Sequence, residues 1–141
     1  MANKLDNDIR EILRKLRNTE FIVTGSLALQ LCGILNREVG DLDIISKDQK
    51  VIDKLKSFCL DLSETVNDPN HMRFLYEGKE TLFIDVFCLT CENTLQHNYL
   101  GRDIVITKPE FVLKTKLQKF KKDEKTILDI ICYLDSKMCN N

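Results

Sequence analysis

The sequence predicts an α/β (α+β) domain in which helices pack on a sheet, and three observations support this class. Helix-spaced and strand-spaced apolar runs alternate along the first half of the chain. The segment 77–80, Glu-Gly-Lys-Glu, separates two β-rich runs as a hairpin turn would. Pro109 is placed for the first turn of a later helix. The 141 residues are expected to form one domain, with a core over about 20–108 and C-terminal helices over about 109–138.

The first elements follow from their local patterns. Apolar residues recur at helical spacing over 5–18, which predicts an amphipathic helix. A β-rich run over 21–24 stops at Gly25, and Ser26 is expected to cap a helix from 27 to about 34. The apolar face of the first helix consists of Leu5, Ile9, Ile12, Leu13 and Leu16.

The middle of the chain is read in the same way. A polar loop over 36–40 precedes a second strand, 42–45. Ser46 is expected to cap a third helix over about 47–58. Further strands are predicted over 72–76 and 81–87, with a weaker one within 60–66.

The last third contains fewer signals. Residues 91–101 show no periodicity and predict a surface loop. A short strand is expected over 103–107, followed by two helices. Their apolar positions are Val112, Leu113, Leu117 and Phe120, then Ile127, Ile130, Ile131 and Leu134.

Composition narrows the class of protein. The net charge of −1 gives no overall attraction to nucleic acid. A lysine-rich stretch over 108–125 is either a solvated helix face or a basic wall facing phosphate. No apolar run approaches the roughly 18 residues of a membrane span, and the first residues show no signal-peptide core. We therefore expect a cytoplasmic protein that does not contact a membrane.

The six cysteines are expected to be reduced. Cys88 and Cys91 form a lone C-x-x-C pair. A structural zinc site needs four ligands, and no second pair has suitable spacing. These thiols are therefore interpreted as core and loop residues.

Three acidic residues carry the chemical signal. Asp41 and Asp43 are one residue apart at a predicted strand, so their side chains point to the same side. Asp85 lies inside the apolar run 82–87, where an unpaired carboxylate would be costly to bury. Three such carboxylates can form an oxygen cage for Mg²⁺ or Mn²⁺. Gly25 and Ser26, at the start of a helix, can bind phosphate oxygens.

Each of these residues also has an ordinary structural reading. Gly25 could simply end a strand, and Ser26 could be only a helix cap. Asp41 could be a turn residue, because aspartate is common in turns. Arg37 could form a surface ion pair. Asp85 is the hardest to explain by folding alone.

The order strand, Gly25-Ser26, helix, loop and Asp41-x-Asp43 resembles the polymerase-β-like nucleotidyltransferases. The residues 25–29 and 36–43 are most similar to the AbiEii abortive-infection toxin family and the lincosamide nucleotidyltransferases. In those families an arginine stands four residues before the first acid, where this chain has Arg37. The resemblance covers about residues 20–130 and implies a mixed, mostly antiparallel sheet.

The resemblance implies metal-dependent transfer of a nucleotide from an NTP to an acceptor hydroxyl, with release of pyrophosphate. Asp41, Asp43 and Asp85 would bind Mg²⁺ or Mn²⁺, and Asp85 could act as general base. Gly25, Ser26 and Arg37 would bind the nucleotide. Lys114 or Lys116 would balance the triphosphate charge, and the sequence does not choose between them.

The acceptor is expected to be RNA, such as tRNA, or a protein hydroxyl, and a small molecule stays open. The lincosamide enzymes have Gly-Gly-Trp where this chain has Thr24-Gly25-Ser26, which argues against antibiotic modification. The alternative is an inactive domain that binds a nucleotide or a protein. A helical partner protein would make the chain half of a toxin–antitoxin or phage-defence pair.

Overall fold

The computed structural model describes residues 2–118 and 123–139. Within them, seven strands form a single sheet and five α-helices accompany it. The helices are α1 (Asp6–Lys15), α2 (Gly25–Leu31), α3 (Gln49–Phe58), α4 (Pro109–Leu117) and α5 (Glu124–Cys139). The strands are β1 (Ile22–Thr24), β2 (Leu42–Ile45), β3 (Leu60–Asp61), β4 (His71–Glu77), β5 (Thr81–Phe87), β6 (Thr94–Tyr99) and β7 (Arg102–Thr107).

The sheet has the order β3-β4-β5-β2-β1-β7-β6. Four neighbouring pairs are antiparallel, whereas β2–β5 and β1–β7 are parallel. The sheet is therefore mixed and mostly antiparallel, which confirms the predicted fold class. The turn over 77–80 joins β4 to β5 as expected.

The hydrophobic core forms where the sequence predicts it. The five apolar residues predicted to share one face are at most 2% exposed; three of them lie in α1, and Leu5 and Leu16 directly flank it. They join one cluster with the central strands and with the inward residues of α2 and α3. Burial of this face accounts for the position of α1, because side chains of this size each contribute about 1.5–3 kcal/mol when buried.

The segment expected to be a loop, 91–101, is a strand over most of its length. β6 pairs with β7 in antiparallel register from Thr94 opposite Thr107 to Tyr99 opposite Arg102. The connecting residues Leu100 and Gly101 both have positive φ, as a tight hairpin turn requires. β6 lies at the edge of the sheet and carries few apolar residues, so its sequence lacks the usual strand pattern.

Two expected helix caps are wrong. Asp48 caps α3, because its carboxylate accepts a hydrogen bond from the backbone N–H of Lys50. Ser46 lies further upstream, where its hydroxyl donates to the carbonyl of Glu20. The helix α2 begins at Gly25, one residue before Ser26, so Ser26 belongs to the first turn and does not cap it.

The two C-terminal helices are present, but α5 buries a polar face. Thr126, Asp129 and Tyr133 are its buried side chains, at 2%, 1% and 7% exposure. Ile127, Ile131, Leu134 and, on α4, Leu117 are each about half exposed. Phe120 lies outside the described residues. The reason for this orientation is the bonding of Asp129, described below.

No helix in the described ranges is long and apolar enough to cross a membrane. The thiols of Cys32, Cys59, Cys88, Cys91 and Cys132 are free.

Asp8 of α1 forms hydrogen bonds with the turn that joins β4 to β5. Its two carboxylate oxygens accept hydrogen bonds from the backbone N–H groups of Lys79 and Glu80, at 2.9 and 2.8 Å. We expect Asp8→Asn to lower the free energy of unfolding by about 1–3 kcal/mol, because the amide cannot accept both bonds. Urea denaturation measures this loss. The exposed Asp53→Asn is the control and should change stability by less than about 0.5 kcal/mol; equal stability of the two variants would contradict the assignment.

Candidate active site

A row of polar side chains crosses the centre of the sheet. In register, Arg73 on β4 lies opposite Asp85 on β5, and Asp85 lies opposite Asp43 on β2. Asp43 in turn lies opposite Thr24 on β1. Residues directly opposite one another in neighbouring strands point to the same face. The pairing therefore brings Asp43 and Asp85 together, although many residues separate them along the chain.

Asp85 is buried and is bonded to two basic side chains. Its Oδ1 accepts a hydrogen bond from Nε of Arg73 at 2.8 Å, and Nε2 of His71 lies 2.7 Å from the same oxygen. The His71 ring stacks on Phe87 with centroids 4.5 Å apart. These contacts stabilise a carboxylate that is only 4% exposed.

The sequence analysis missed Arg73 and His71. A signal was available, because the turn over 77–80 sets the hairpin register and places residue 73 opposite residue 85. Positive charge opposite a buried acid is the expected complement.

Asp41 precedes β2 directly and is exposed. Partial desolvation in the cleft, and then the negative charge of Asp85, raise the pKa of Asp41 above the ordinary value. The hydrogen bond to Asp85, together with the charges of Asp85, Asp41 and Asp43, raises the pKa of Arg73. All three predicted acids therefore lie within electrostatic reach of one guanidinium.

Gly25 brings the first turn of α2 against Asp43. Its φ is +68°, a conformation that side chains rarely adopt. A Cβ at this position would lie 2.2 Å from Oδ2 of Asp43. The glycine is therefore required for the close approach of helix and acid in the structure.

Arg37 lies on the loop between α2 and β2, and a hydrogen bond to its backbone carbonyl holds it there. Its carbonyl accepts a hydrogen bond from Nε2 of Gln30 at 2.9 Å, and Gln30 is itself bonded to Asn3. The guanidinium donates to the Ser26 hydroxyl at 3.0 Å. It also forms a two-pronged ion pair with Asp129, at 3.0 and 2.8 Å. The pair is not a surface contact, because the Asp129 side chain is 1% exposed.

Of the two lysines that the sequence could not separate, Lys116 lines the cleft. Its Nζ lies 2.8 Å from Oδ2 of Asp129. Lys114 is exposed on α4 and does not line the cleft. The sequence analysis missed Asp129, even though it stands alone among apolar residues in the run 127–131, as Asp85 does in its strand.

The cleft between these groups has a volume of about 510 Å³. We call Asp41, Asp43 and Asp85 the acidic wall and Arg37, Lys116 and Lys125 the basic wall. All six residues line the cleft, together with Gly25 and Ser26. A lining that contains both carboxylates and cations suits a ligand that carries both a cation and several phosphates.

The acidic wall fits a hard divalent cation in donor type, because carboxylate oxygens are the ligands that Mg²⁺ and Mn²⁺ prefer. Within residues 2–118 and 123–139, no group of three or more His, Cys, Asp or Glu side chains is arranged closely enough to hold a metal ion as it stands. Arg73 supplies positive charge beside the acids in this arrangement.

The sequence was compared with known families and proteins. A family model described as "Nucleotidyltransferase of unknown function (DUF6036)" matches residues 2–91. No curated protein matches the sequence significantly.

Several solved structures share the fold. The lincomycin-bound lincosamide antibiotic adenylyltransferase LnuA aligns with a TM-score of 0.70 and 19% identity, over 93% of this chain and 97% of that one. ANT(2″)-Ia in complex with adenylyl-2″-tobramycin aligns with a TM-score of 0.64 and 15% identity, over 95% of this chain and 90% of that one. An antigenic nucleotidyltransferase-like protein of Paracoccidioides brasiliensis aligns with a TM-score of 0.60 and 18% identity, over 92% of this chain and 74% of that one.

The contact between Gly25 and Asp43 can be tested against a matched glycine. Gly33 also has positive φ, but a Cβ there would meet nothing within 4 Å. Both Gly→Ala variants carry the backbone strain, so their difference isolates the contact with Asp43. We expect Gly25→Ala to be about 1–3 kcal/mol less stable than Gly33→Ala in urea denaturation. Equal stabilities would mean that Asp43 moves aside without cost.

The raised pKa of Asp41 predicts a pH-dependent effect. Folding favours the protonated carboxyl, so stability falls as the pH rises from the ordinary aspartate pKa through the raised folded pKa, and the cost is complete above it. We expect Asp41→Asn to melt at or slightly above the wild-type temperature at pH 7, the effect being small because Asp41 is exposed. The difference should vanish at a pH below the ordinary aspartate value, where the wild-type carboxyl is protonated.

Asp48→Asn provides a control of opposite sign. Hydrogen bonds from the backbone N–H groups of Glu20 and Lys50 lower the pKa of Asp48. Its loss should therefore lower the melting temperature at pH 7. A large destabilisation by Asp41→Asn would instead assign Asp41 a structural role.

Proposed function

The chain belongs to the DUF6036 family of nucleotidyltransferases of unknown function, and we propose that it transfers a nucleoside monophosphate from an NTP to an acceptor hydroxyl. One observation carries the proposal: Asp43 and Asp85 lie opposite each other on neighbouring strands, in a cleft that Arg37, Lys116 and Lys125 also line. One structural neighbour is described as a lincosamide antibiotic adenylyltransferase and another is described in complex with adenylyl-2″-tobramycin, and both descriptions support this class of reaction.

The reaction forms a bond between the acceptor oxygen and the α-phosphorus of the NTP. The bond from that phosphorus to the oxygen bridging to the β-phosphate breaks, and its electron pair leaves with pyrophosphate. The acceptor hydroxyl gives up its proton. Oδ1 of Asp85 already accepts from Arg73 and lies against Nε2 of His71, so a general-base role for Asp85 would fall to Oδ2, at a stage when that oxygen does not bind the metal.

The acidic wall would hold the metal. Asp41, Asp43 and Asp85 would bind Mg²⁺ or Mn²⁺, which when bound supplies Lewis-acid stabilisation of the phosphate charge and makes the acceptor hydroxyl more acidic. Arg73 fixes the orientation of the Asp85 carboxylate.

The basic wall and the start of α2 would bind the triphosphate. The backbone N–H groups of Gly25 and Ser26 lie in the first turn of α2, and the Ser26 hydroxyl lines the same cleft. Lys116 and Arg37 add positive charge on the same side. Lys114 lies outside the cleft lining and would act only at longer range.

The proposed acceptor is a hydroxyl of RNA, such as tRNA, or of a protein. A small molecule is a further candidate, because two neighbours are described with lincomycin and with adenylyl-2″-tobramycin. The chain aligns with 97% of the lincosamide adenylyltransferase, so a chain of this size suffices for such a reaction. A cytoplasmic location, and a helical partner protein in a toxin–antitoxin or phage-defence pair, are parts of the same proposal.

A second function is favoured by one contact. The bonds from Arg73 and His71 to Asp85 leave that carboxylate already neutralised. This arrangement suits an inactive domain that binds a nucleotide or a protein and keeps the acids as structural partners.

Labelled nucleotides distinguish the two functions. The purified protein is incubated with each α-labelled NTP and Mg²⁺, alone and with cell extract, and products are separated into protein, RNA and small molecules. We expect label in one fraction for the wild type, and none above background for Asp43→Asn. Asp53→Asn, exposed on α3, should label as the wild type does. If the wild type and Asp53→Asn bind NTP but transfer no label to any fraction, the result would favour the inactive domain.

A further inference from the structure

The polar face of α5 meets the proposed triphosphate side of the cleft. Asp129 is the centre of this contact, with its side chain 1% exposed. It accepts hydrogen bonds from Nε and one terminal nitrogen of Arg37, at 3.0 and 2.8 Å. Nζ of Lys116, on α4, lies 2.8 Å from Oδ2. One buried carboxylate therefore holds two cations from two different parts of the chain.

The charges do not cancel. Two cations share one carboxylate, so this group of three side chains carries a net positive charge, and both cations line the cleft together with Asp123. The same guanidinium donates to the Ser26 hydroxyl at 3.0 Å. Asp129 is thus linked through Arg37 to the first turn of α2.

Arg37 has little capacity left for a ligand. Of its five N–H groups, two go to Asp129, one to Ser26 and one to the Glu38 carbonyl. Lys116 has a single bond among those described, to Asp129. The two cations therefore differ in role: Lys116 can contact a phosphate directly, whereas Arg37 mainly orients Ser26.

We propose that Asp129 is a positioning residue for polyphosphate binding, which holds Lys116 toward the ligand and, through Arg37, sets the direction of the Ser26 hydroxyl. The inference rests on the proposed function for its ligand class, a nucleoside triphosphate. It concerns α5, which lies beyond the segment that the family model matches.

The sign of the effect separates positioning from simple charge. Removing a negative charge near an anionic ligand should, by Coulomb's law alone, tighten binding. If Asp129 positions Lys116 and Ser26, Asp129→Asn weakens binding instead, because the amide cannot accept the two-pronged bond. We expect about a tenfold loss of affinity for Mg²⁺-tripolyphosphate, the size of one charge-assisted hydrogen bond.

The experiment uses calorimetry with Mg²⁺-tripolyphosphate, at a temperature well below the melting point of every variant. Asp135→Asn, an exposed acid on the same helix, is the matched control and should bind as the wild type does. Asp129→Glu keeps the carboxylate and should recover part of the affinity. Arg37→Lys keeps the positive charge but cannot form the paired hydrogen bonds that the guanidinium makes with Asp129, and it should bind more weakly than the wild type.

A double-variant cycle excludes general loosening of the fold. Ser26→Ala should weaken binding in the wild type but have a smaller effect in Asp129→Asn, because the hydroxyl is no longer directed there. Additive losses, or tighter binding by Asp129→Asn, would overturn the inference. If Asp129→Asn does not fold, the same cycle is measured with Arg37→Lys.

The outcome is distinct from that of the labelling experiment. Weaker tripolyphosphate binding by Asp129→Asn, in a protein that transfers no label, would keep the positioning role and reject the transfer reaction. If the wild type transfers label but Asp129→Asn binds tripolyphosphate as tightly as the wild type, the transfer reaction is kept and the positioning role is rejected. A wild type that does not bind tripolyphosphate would overturn the positioning role.

Discussion

The parallel pairing of β2 with β5 is the constraint from which the site follows. It sets Asp43 opposite Asp85, and the β4–β5 hairpin then sets Arg73 opposite Asp85. Because side chains alternate along strands, a slip of one residue in this pairing would turn Asp85 to the other face of the sheet. The contact of Asp8 with the hairpin turn, on the far end of β5, helps to hold this register.

Two buried carboxylates organise the cleft in similar ways. Asp85 joins β5 to β4 through Arg73 and His71, and Asp129 joins α5 to the rest of the domain through Arg37 and Lys116. Each acid is buried with two basic partners, because a single buried charge is costly. This bonding explains why α5 turns polar residues inward and leaves several apolar ones exposed.

Local patterns predicted most elements, and the acids that line the cleft were found by residue type and spacing. What the sequence could not predict depends on contacts between distant segments. β6 is a polar edge strand, recognisable by its pairing with β7 more than by its composition. The faces of α5 were misjudged because periodicity treats Asp129 as a solvent residue, whereas its partners come from the segments that contain Arg37 and Lys116.

The order of the segments along the chain has a consequence for synthesis on the ribosome. The acidic wall needs β5 beside β2, and these strands are separated by α3, β3 and β4. The basic wall needs Lys116 and Lys125, which are made later still. A nascent chain therefore contains most of the sheet before it contains a complete cleft. Under the proposed function, a nucleotide that bridges both walls would bind only after α5 has docked, so it would stabilise the finished domain without assisting its folding.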